Sequence, residues 1–238
     1  MREEEMDTRS ADKFAQALQG VLRIHPQMDI IMRMCTYVES REDATGLHIY
    51  RITAYALEIA RAMGMDAQDR ERLALAAPLH DIGKIMIPDR IVLKPGKLDP
   101  DEWEVMKMHA SAGHRILEGS SHEEVEVAAQ VALCHHEKWD GSGYPIGFVG
   151  DSIPLPARIV AVVDVLDALT SKRVYKSAYP LDTALGMMRE GKGTHFDPAV
   201  VDALLEVETR IRSFYAMFEE ASPGIPLYRF AEFLDGRR

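Results

Sequence analysis

The chain has 238 residues and a formal net charge of −10 at pH 7. Hydrophobic residues make up 47% of the sequence, which is enough to fill the core of one large domain or of a domain with an extension. The acidic balance argues against broad, nonspecific binding to nucleic acid, which needs a basic face, and we expect no DNA partner. A small anionic ligand remains compatible with this charge, provided that positive charge is gathered locally.

The sequence shows no segment that directs or anchors it to a membrane. No apolar run approaches the roughly 18 to 20 residues that a membrane span needs. The first ten residues, MREEEMDTRS, are charged and lack the apolar core of a signal peptide. The two cysteines form no CxxC motif and indicate no disulfide framework. We therefore expect a cytoplasmic protein without a membrane partner.

Apolar residues recur at helical spacing along almost the whole chain, and strand-like alternation is scarce. Residues 11–39 predict one or two helices interrupted near Pro26, and residues 45–64 predict a helix that stops at Gly64. Further helices are predicted over 68–83, 100–118, 122–137, 155–170, 181–190 and 198–219. The predicted fold class is all-α.

Three loops rich in Gly and Pro interrupt the helical pattern, at 87–100, 140–156 and 191–198. Such loops are fixed in shape, as the rim of an active site requires, although long connectors also use Gly and Pro. We predict a helical extension over 1–40, a main domain over 41–220 and a tail over 221–238. The extension either packs on the main domain, which is the simpler interpretation, or pairs with a second copy in a homodimer.

Histidines and aspartates recur inside the predicted apolar helices. Buried imidazoles and carboxylates are costly unless they are paired or bound to metal. Any one of them is more simply explained as a core side chain bonded to the backbone, but seven together, with two adjacent pairs, are poorly explained in that way. These seven residues are His48, His80, Asp81, His109, His135, His136 and Asp164.

The adjacent pairs suggest two ions rather than one. Neighbours on a helix point about 100° apart, so they do not converge easily on one ion. They can address two ions, which in two-metal sites lie about 3.5–4 Å apart. Asp81 can bridge such a pair because its carboxylate has two oxygens.

Several motifs together resemble a known family. They are HDIGKIMIPD, KPGKL, HHEKWDGSGYP, IPLPARI, DVLDALTSKRVYK and FDP. The sequence resembles the HD-GYP subgroup of the HD-domain metal-dependent phosphohydrolases over roughly residues 45–200. The resemblance implies an all-helical HD-domain bundle with a di- or trinuclear metal site. It also implies hydrolysis of cyclic di-GMP, a bacterial second messenger, to pGpG, GMP or both.

The resemblance also assigns roles to residues. It makes the seven histidines and aspartates metal ligands, with Asp81 bridging two ions that share a nucleophilic hydroxide. Lys84 corresponds to a lysine that contacts phosphate, so Asp81 and Lys84 are the expected catalytic residues. The expected substrate-binding residues are Lys84, Gly143, Tyr144, Pro145, Asp167, Arg173 and Lys176.

One departure from the family pattern affects the number of metal ions. Trinuclear members carry a Glu four residues before the first ligand His, and here that position is Ala44, which has no oxygen to give. The nearby Glu42 and Asp43 would lie on other faces of the helix. We therefore expect two divalent ions and no third. Nitrogen and oxygen ligands favour Fe or Mn, with Zn, Ni or Co as alternatives, and the resemblance favours Fe first and Mn next.

Three functions are compatible with these observations. The first is a metal-dependent cyclic di-GMP phosphodiesterase. The second is a module of weak or no activity that binds cyclic dinucleotide, or that docks a diguanylate cyclase (GGDEF) domain or an effector through the Gly-Tyr-Pro loop. The third is an O₂-using di-iron oxygenase, which the Gly-Tyr-Pro loop, Arg173 and Lys176 argue against.

Overall fold

The computed structural model describes residues 27–39, 47–171 and 178–220, and these residues form a bundle of helices. The helices are α1 (Gln27–Glu39), α2 (His48–Ala62), α3 (Ala67–Ala76), α4 (Asp89–Val92), α5 (Pro100–Leu117), α6 (Glu123–Cys134), α7 (Leu155–Thr170), α8 (Leu181–Glu190), α9 (Pro198–Glu206) and α10 (Glu208–Glu220). Short 3-10 turns cover Ala77–Leu79, Ile82–Met86 and Gly150–Ser152. The described residues contain no β-sheet, and an isolated bridge joins Lys192 to Phe196. The all-α prediction is confirmed.

Helix α2 is the central helix of the bundle. Twelve of its fifteen residues are buried, and it contacts α1, α3, α7, α9 and α10 as well as the first 3-10 turn. Its apolar side chains include Ile49, Ile52 and Ile59, which are fully buried in the main hydrophobic core. Because His48 is the first residue of this helix, its ring is held by the best-packed element of the molecule.

The prediction of one helix over 68–83 was wrong for the second half of this range. The α-helix ends at Ala76, and two 3-10 turns follow. Pro78 explains the end, because proline has no backbone N–H to continue the helix and its ring clashes with the preceding turn. His80 and Asp81 therefore lie in a turn between two 3-10 segments. The sequence had suggested that both lie within a helix.

Two further helices differ from the prediction, one because it ends earlier and one because it is broken in the middle. The helix predicted over 122–137 ends at Cys134, so His135 and His136 follow it. The helix predicted over 198–219 is two helices, with Val207 outside helical geometry at φ −95° and ψ 15°. The buried residues Val200, Leu204 and Ile211 keep helical spacing across this break, so the apolar pattern carried no signal of it.

Helix α1 packs on the main bundle. Cys35 and Val38 are buried in the same hydrophobic core as α2, and α1 contacts both 3-10 turns that flank His80 and Asp81. Over residues 27–39, the predicted extension is thus part of the main core. Among the described residues, no helix combines the length and the apolar character that a membrane span requires.

Candidate metal centre

A glycine brings the turn that carries Asp81 against helix α5. A Cβ atom at Gly83 would lie 2.9 Å from Cα of Gly113 and closer still to the carbonyl oxygen of His109. Only glycine permits such an approach of two backbones. As a result, Oδ1 of Asp81 lies 3.1 Å from Nε2 of His109. Helix α5 is itself anchored by a capping box, in which Asp99 accepts from the Glu102 backbone and the Glu102 side chain accepts from the Asp99 backbone.

The seven side chains singled out in the sequence converge on one place in the bundle. Six of the seven form two groups, in each of which the ligand-type atoms lie within 4.8 Å of one another. Asp81 belongs to both groups, and Oδ1 of Asp164 lies 3.8 Å from Nε2 of His48 and 4.0 Å from Nε2 of His80. The two groups are His48, His80 and Asp81, and Asp81, His109, His135 and His136. The two groups share the carboxylate of Asp81.

Backbone carbonyls fix the orientation of three of these rings. Nδ1 of His80, His109 and His135 lies 2.8, 2.7 and 3.0 Å from a carbonyl oxygen one helical turn earlier in the chain. A carbonyl oxygen can only accept, so Nδ1 donates and Nε2 is left to face the centre. The acceptors are the carbonyl oxygens of Ala77, Met106 and Ala132.

The centre contains buried polar atoms that the described protein atoms do not satisfy. Nε2 of His80 and Oδ1 of Asp81 are buried and have no hydrogen bond within the described part of the chain. His80 is fully buried, and Asp81 is 6% exposed. Buried polar groups in folded proteins are almost always paired, and imidazole nitrogen and carboxylate oxygen are both metal ligands. The residues present therefore fit a bound divalent cation.

The ring of His48 is oriented by a buried carboxylate. Nδ1 of His48 donates to Oδ2 of Asp167 at 2.7 Å, and Arg51 donates to both oxygens of the same carboxylate. Asp167 is 1% exposed. The sequence suggested a substrate contact for Asp167, but the structure places it behind His48, with its oxygens engaged by His48 and Arg51. A carboxylate in this position can orient a histidine that binds metal, and the expected substrate contact of Asp167 stays a prediction.

The charges on the His48 side of the centre favour protonated imidazoles. Burial lowers the pKa of His80, but Asp81 and Asp164 outweigh it and raise the pKa to about 10. Burial also lowers the pKa of His48, but Asp167 outweighs it and raises that pKa above its ordinary value. Burial alone would raise the pKa of Asp81, yet Lys84 and His80 hold it well below its usual range.

The other side of the centre favours neutral imidazoles. Burial is the main cause that lowers the pKa of His135, and burial together with His135 and His109 lowers the pKa of His136 well below its usual range. These rings accept a metal ion without first losing a proton. The two sides of the centre thus shift the pKa values of their imidazoles in opposite directions.

Lys84 lies next to Asp81 on the side of the centre that is partly exposed to solvent. Its Nζ lies 2.7 Å from Oδ2 of Asp81, and its side chain is 12% exposed. The side chain of Asp164 is 16% exposed, whereas that of His80 is fully buried. The centre therefore has a closed floor at His80 and an accessible side at Lys84 and Asp164.

The Gly-Tyr-Pro loop forms one wall beside the paired histidines. The ring of Tyr144 stacks on that of His136 with centroids 4.7 Å apart, and Trp103 contacts Tyr144 edge-on. A Cβ atom at Gly143 would lie 2.6 Å from the carbonyl oxygen of His136, so this position requires glycine. Pro145 is exposed at the tip of the loop.

Glu137 anchors this loop, and the sequence reasoning had assigned it no role. Its carboxylate accepts hydrogen bonds from the backbone N–H groups of Ile146 at 2.7 Å and Gly147 at 3.0 Å, and the residue is 2% exposed. A buried carboxylate directly after two ligand-type histidines was the available signal. The loop is therefore held from inside by a charge-assisted network.

Other predicted positions lie outside the described residues. Arg173 and Lys176 fall in 172–177, and Ala44, with its neighbours Glu42 and Asp43, falls in 40–46. Their expected contributions to substrate binding and to the metal count stay predictions.

Comparison with known proteins supplies the family. A family model described as HD domain matches residues 28–200. The chain belongs to the HD-domain family. The Gly-Tyr-Pro loop next to the paired histidines places this HD domain in the HD-GYP subgroup and confirms the resemblance seen in the sequence.

Characterised relatives of this HD domain act on cyclic dinucleotides. The chain is 44% identical over 201 residues to the cyclic di-GMP phosphodiesterase response regulator RpfG of Xanthomonas campestris pv. campestris, covering 84% of this chain and 53% of that protein. It is 42% identical over 178 residues to the 3'3'-cGAMP-specific phosphodiesterase 2 of Vibrio cholerae, covering 75% of this chain and 34% of that protein. The chain spans about half or less of the length of these relatives.

A solved structure shows the same fold. The crystal structure of a cyclic GMP-AMP-specific phosphodiesterase of V. cholerae, V-cGAP3, matches with a TM-score of 0.61 and 18% sequence identity. The match covers 86% of this chain and 52% of that one. The HD-domain family and the cluster of histidines and aspartates together indicate that the chain binds divalent metal.

Proposed function

We propose that this HD domain is a metal-dependent phosphodiesterase that hydrolyses cyclic di-GMP. The observation that carries the proposal is the pair of ligand groups that share Asp81 at one accessible end of the bundle. Relatives more than 40% identical over most of this chain carry cyclic dinucleotide phosphodiesterase names, which supports the substrate class. We further propose that the centre holds two ions, with Fe expected first and Mn next.

The chemistry of such a centre suits a phosphodiester. Two divalent ions, when bound, would supply a nucleophile from water at neutral pH and neutralise phosphoryl oxygens. Asp81, five imidazoles and Asp164 would hold them. The ligands carry a charge of −2 against about +4 from the ions, so a local cationic site would attract phosphate to an acidic protein.

The protein's own groups determine where the substrate enters. Since His80 closes the floor, the phosphodiester would approach from the side of Lys84 and Asp164. In this position Lys84, now paired with Asp81, can donate to a phosphate oxygen. Tyr144 and His136 form a stacked wall against which a base or ribose can lie. Arg173 and Lys176 are proposed to hold the phosphates or a guanine.

A binding and docking module is the second candidate function. The observation that favours it is the apolar tip beside the Gly-Tyr-Pro motif, where Ile146 is 50% exposed and Val149 is 59% exposed. Exposed apolar side chains on a rigid loop are suited to contact another protein. A GGDEF domain or an effector is the proposed partner for this role.

A single assay separates the two candidates. The purified protein is reconstituted anaerobically with Fe(II) or Mn(II) and incubated with cyclic di-GMP, and the products are separated by chromatography. We expect metal-dependent formation of pGpG or GMP that Asp81→Asn abolishes and that Asp101→Asn, an exposed residue on α5, leaves unchanged. Tight binding of cyclic di-GMP without product would favour the module. Faster turnover of 3'3'-cGAMP than of cyclic di-GMP would contradict the proposed substrate.

A further inference from the structure

Glu39 is a buried carboxylate beside the metal centre that the family motifs do not include. It is the last residue of α1 and is 4% exposed. Its Oε2 lies 3.8 Å from Nε2 of His48, and its Oε1 is buried without a hydrogen-bond partner in the described part of the chain. Within that same part, the only ion-pair partner found for Glu39 is His48.

The position of Glu39 is unfavourable for a negative charge unless a cation is near. The C-terminal end of a helix carries partial negative charge, which repels a carboxylate. A buried carboxylate also loses its hydration and needs a partner that replaces it. The side chains of Cys35 and Val38 on the same helix are buried and offer no positive charge. Among the described residues, the ionisable side chain that pairs with Glu39 is His48, so a compensating charge is expected in that direction.

The distances around His48 suit a shared ion. Its Nε2 is 3.8 Å from Oε2 of Glu39 and 3.8 Å from Oδ1 of Asp164. Nitrogen and oxygen ligands bound to one ion at about 2.0–2.2 Å lie roughly 3–4 Å from one another. Nε2 of His48 is thus spaced from each of the two carboxylate oxygens as two ligands of one cation would be.

We propose that Glu39 is a further ligand of the ion on the His48 side. It would supply from α1, nine residues before His48, a carboxylate in place of the one that Ala44 cannot give. This inference rests on the proposed metal centre. The His48 side would then hold its ion with three carboxylates and two imidazoles, while the opposite side would have three imidazoles and the shared Asp81.

The asymmetry has a consequence for metal choice. Carboxylate oxygen is a hard ligand that suits Mn, whereas imidazole suits Fe and Zn. The ion on the His48 side should therefore be the more manganese-tolerant of the two, and Glu39 should contribute to that tolerance.

Metal titration tests the role of Glu39 directly. Metal-free protein is titrated with Mn²⁺, and free Mn²⁺ is followed by electron paramagnetic resonance. The parent should show two classes of site, and Glu39→Gln should weaken one class by about 10-fold or more while leaving the other unchanged. The rise in Tm on adding Mn²⁺ should shrink in the same variant, and the Tm of the metal-free variant reports whether it folds.

Two further variants complete the experiment. Glu39→Asp keeps the charge but shortens the reach, so it should weaken the same class of site if Glu39 is a ligand, and it carries the test if Glu39→Gln does not fold. Glu104→Gln, an exposed residue on α5, is the matched control and should bind as the parent does.

The outcomes separate this inference from the proposed function. Parent protein that takes up two ions, with Glu39→Gln and Glu39→Asp within threefold of it at both classes, would overturn the role of Glu39 alone. Parent protein that takes up no Mn²⁺ and no Fe²⁺ would overturn the proposed metal centre and this inference together.

Discussion

Four histidines of the centre are oriented by a hydrogen bond of Nδ1. Three rings donate Nδ1 to a backbone carbonyl, whereas His48 donates to the carboxylate of Asp167. A backbone carbonyl fixes the ring, and a carboxylate also adds negative charge behind it. His48 is therefore the ring whose protonation and orientation depend most on another side chain.

Removal of the Asp167 carboxylate should weaken the binding of one of the two ions. In Asp167→Asn the charge behind His48 is lost, together with the ion pair between Arg51 and this residue. We expect the affinity for the ion on the His48 side to fall about 10–100-fold, with the ion on the His109 side unaffected. A Mn²⁺ titration read by electron paramagnetic resonance resolves the two classes. Equal weakening of both classes would instead indicate a general loss of structure.

Proton release on metal binding should differ between the two sides. The pKa of His80 is raised to about 10, so at pH 7 this ring holds a proton that a metal ion must displace, and affinity should rise with pH up to that value. The pKa of His48 is raised as well. His135 and His136 have lowered pKa values and are already neutral. We expect the ion on the His48 side to release at least one proton, from His80, and the ion on the other side to release almost none.

Calorimetry measures this release. Mn²⁺ binding at pH 7 is followed in two buffers that differ in ionisation enthalpy, because the difference in observed heat counts the protons. His136→Ala, which removes a ligand from the opposite side, should leave the proton release intact. Heats that are independent of the buffer, or equal proton release from both classes, would contradict the charge asymmetry.

At the scale of elements, the packing of the Asp81 turn on α5 determines whether the centre forms. The contact depends on Gly83, since a Cβ there would overlap the backbone of α5. Gly186 in α8 offers a matched comparison, because a Cβ at that position would meet nothing within 4 Å.

Gly83→Ala should separate Asp81 from His109 and lower both stability and metal uptake. Gly186→Ala should stabilise the protein by about 0.4–1 kcal/mol, since alanine restricts the unfolded chain without a clash. Urea unfolding measures the first quantity, and metal analysis of the purified variants measures the second. Normal metal content in Gly83→Ala would show that the close approach is not required.

The helices and turns around the centre show which features could be predicted from the sequence and which could not. Ligand-type histidines were visible because a polar ring in an apolar helix is unusual, and periodicity located α2, α5, α7 and α8. The turn around His80 was not visible, because periodicity treats a proline-broken segment as a helix until the 3-10 geometry is known. Glu39 and Glu137 were missed because a single carboxylate on or beside a helix resembles a solvated surface residue until its burial is known.

At the scale of the whole molecule, the bundle gathers residues far apart in sequence. His48 opens the central helix and Asp167 lies near the end of α7, yet their side chains are hydrogen bonded across 119 positions. Composition and net charge could not show this, since they are properties of the chain and not of its packing. The family pattern supplied the expected set, and the packing of α1, α2, α5, α6 and α7 determines its geometry.

The location of bound metal tests the account most directly. Crystals of Fe- or Mn-reconstituted protein are measured at the absorption edge of the metal, so that anomalous difference density marks the ions. We predict two peaks about 3.5–4 Å apart, one on either side of the Asp81 carboxylate and within ligand distance of the histidines that face it. A single peak, peaks remote from Asp81, or no peak after reconstitution would contradict the two-ion centre.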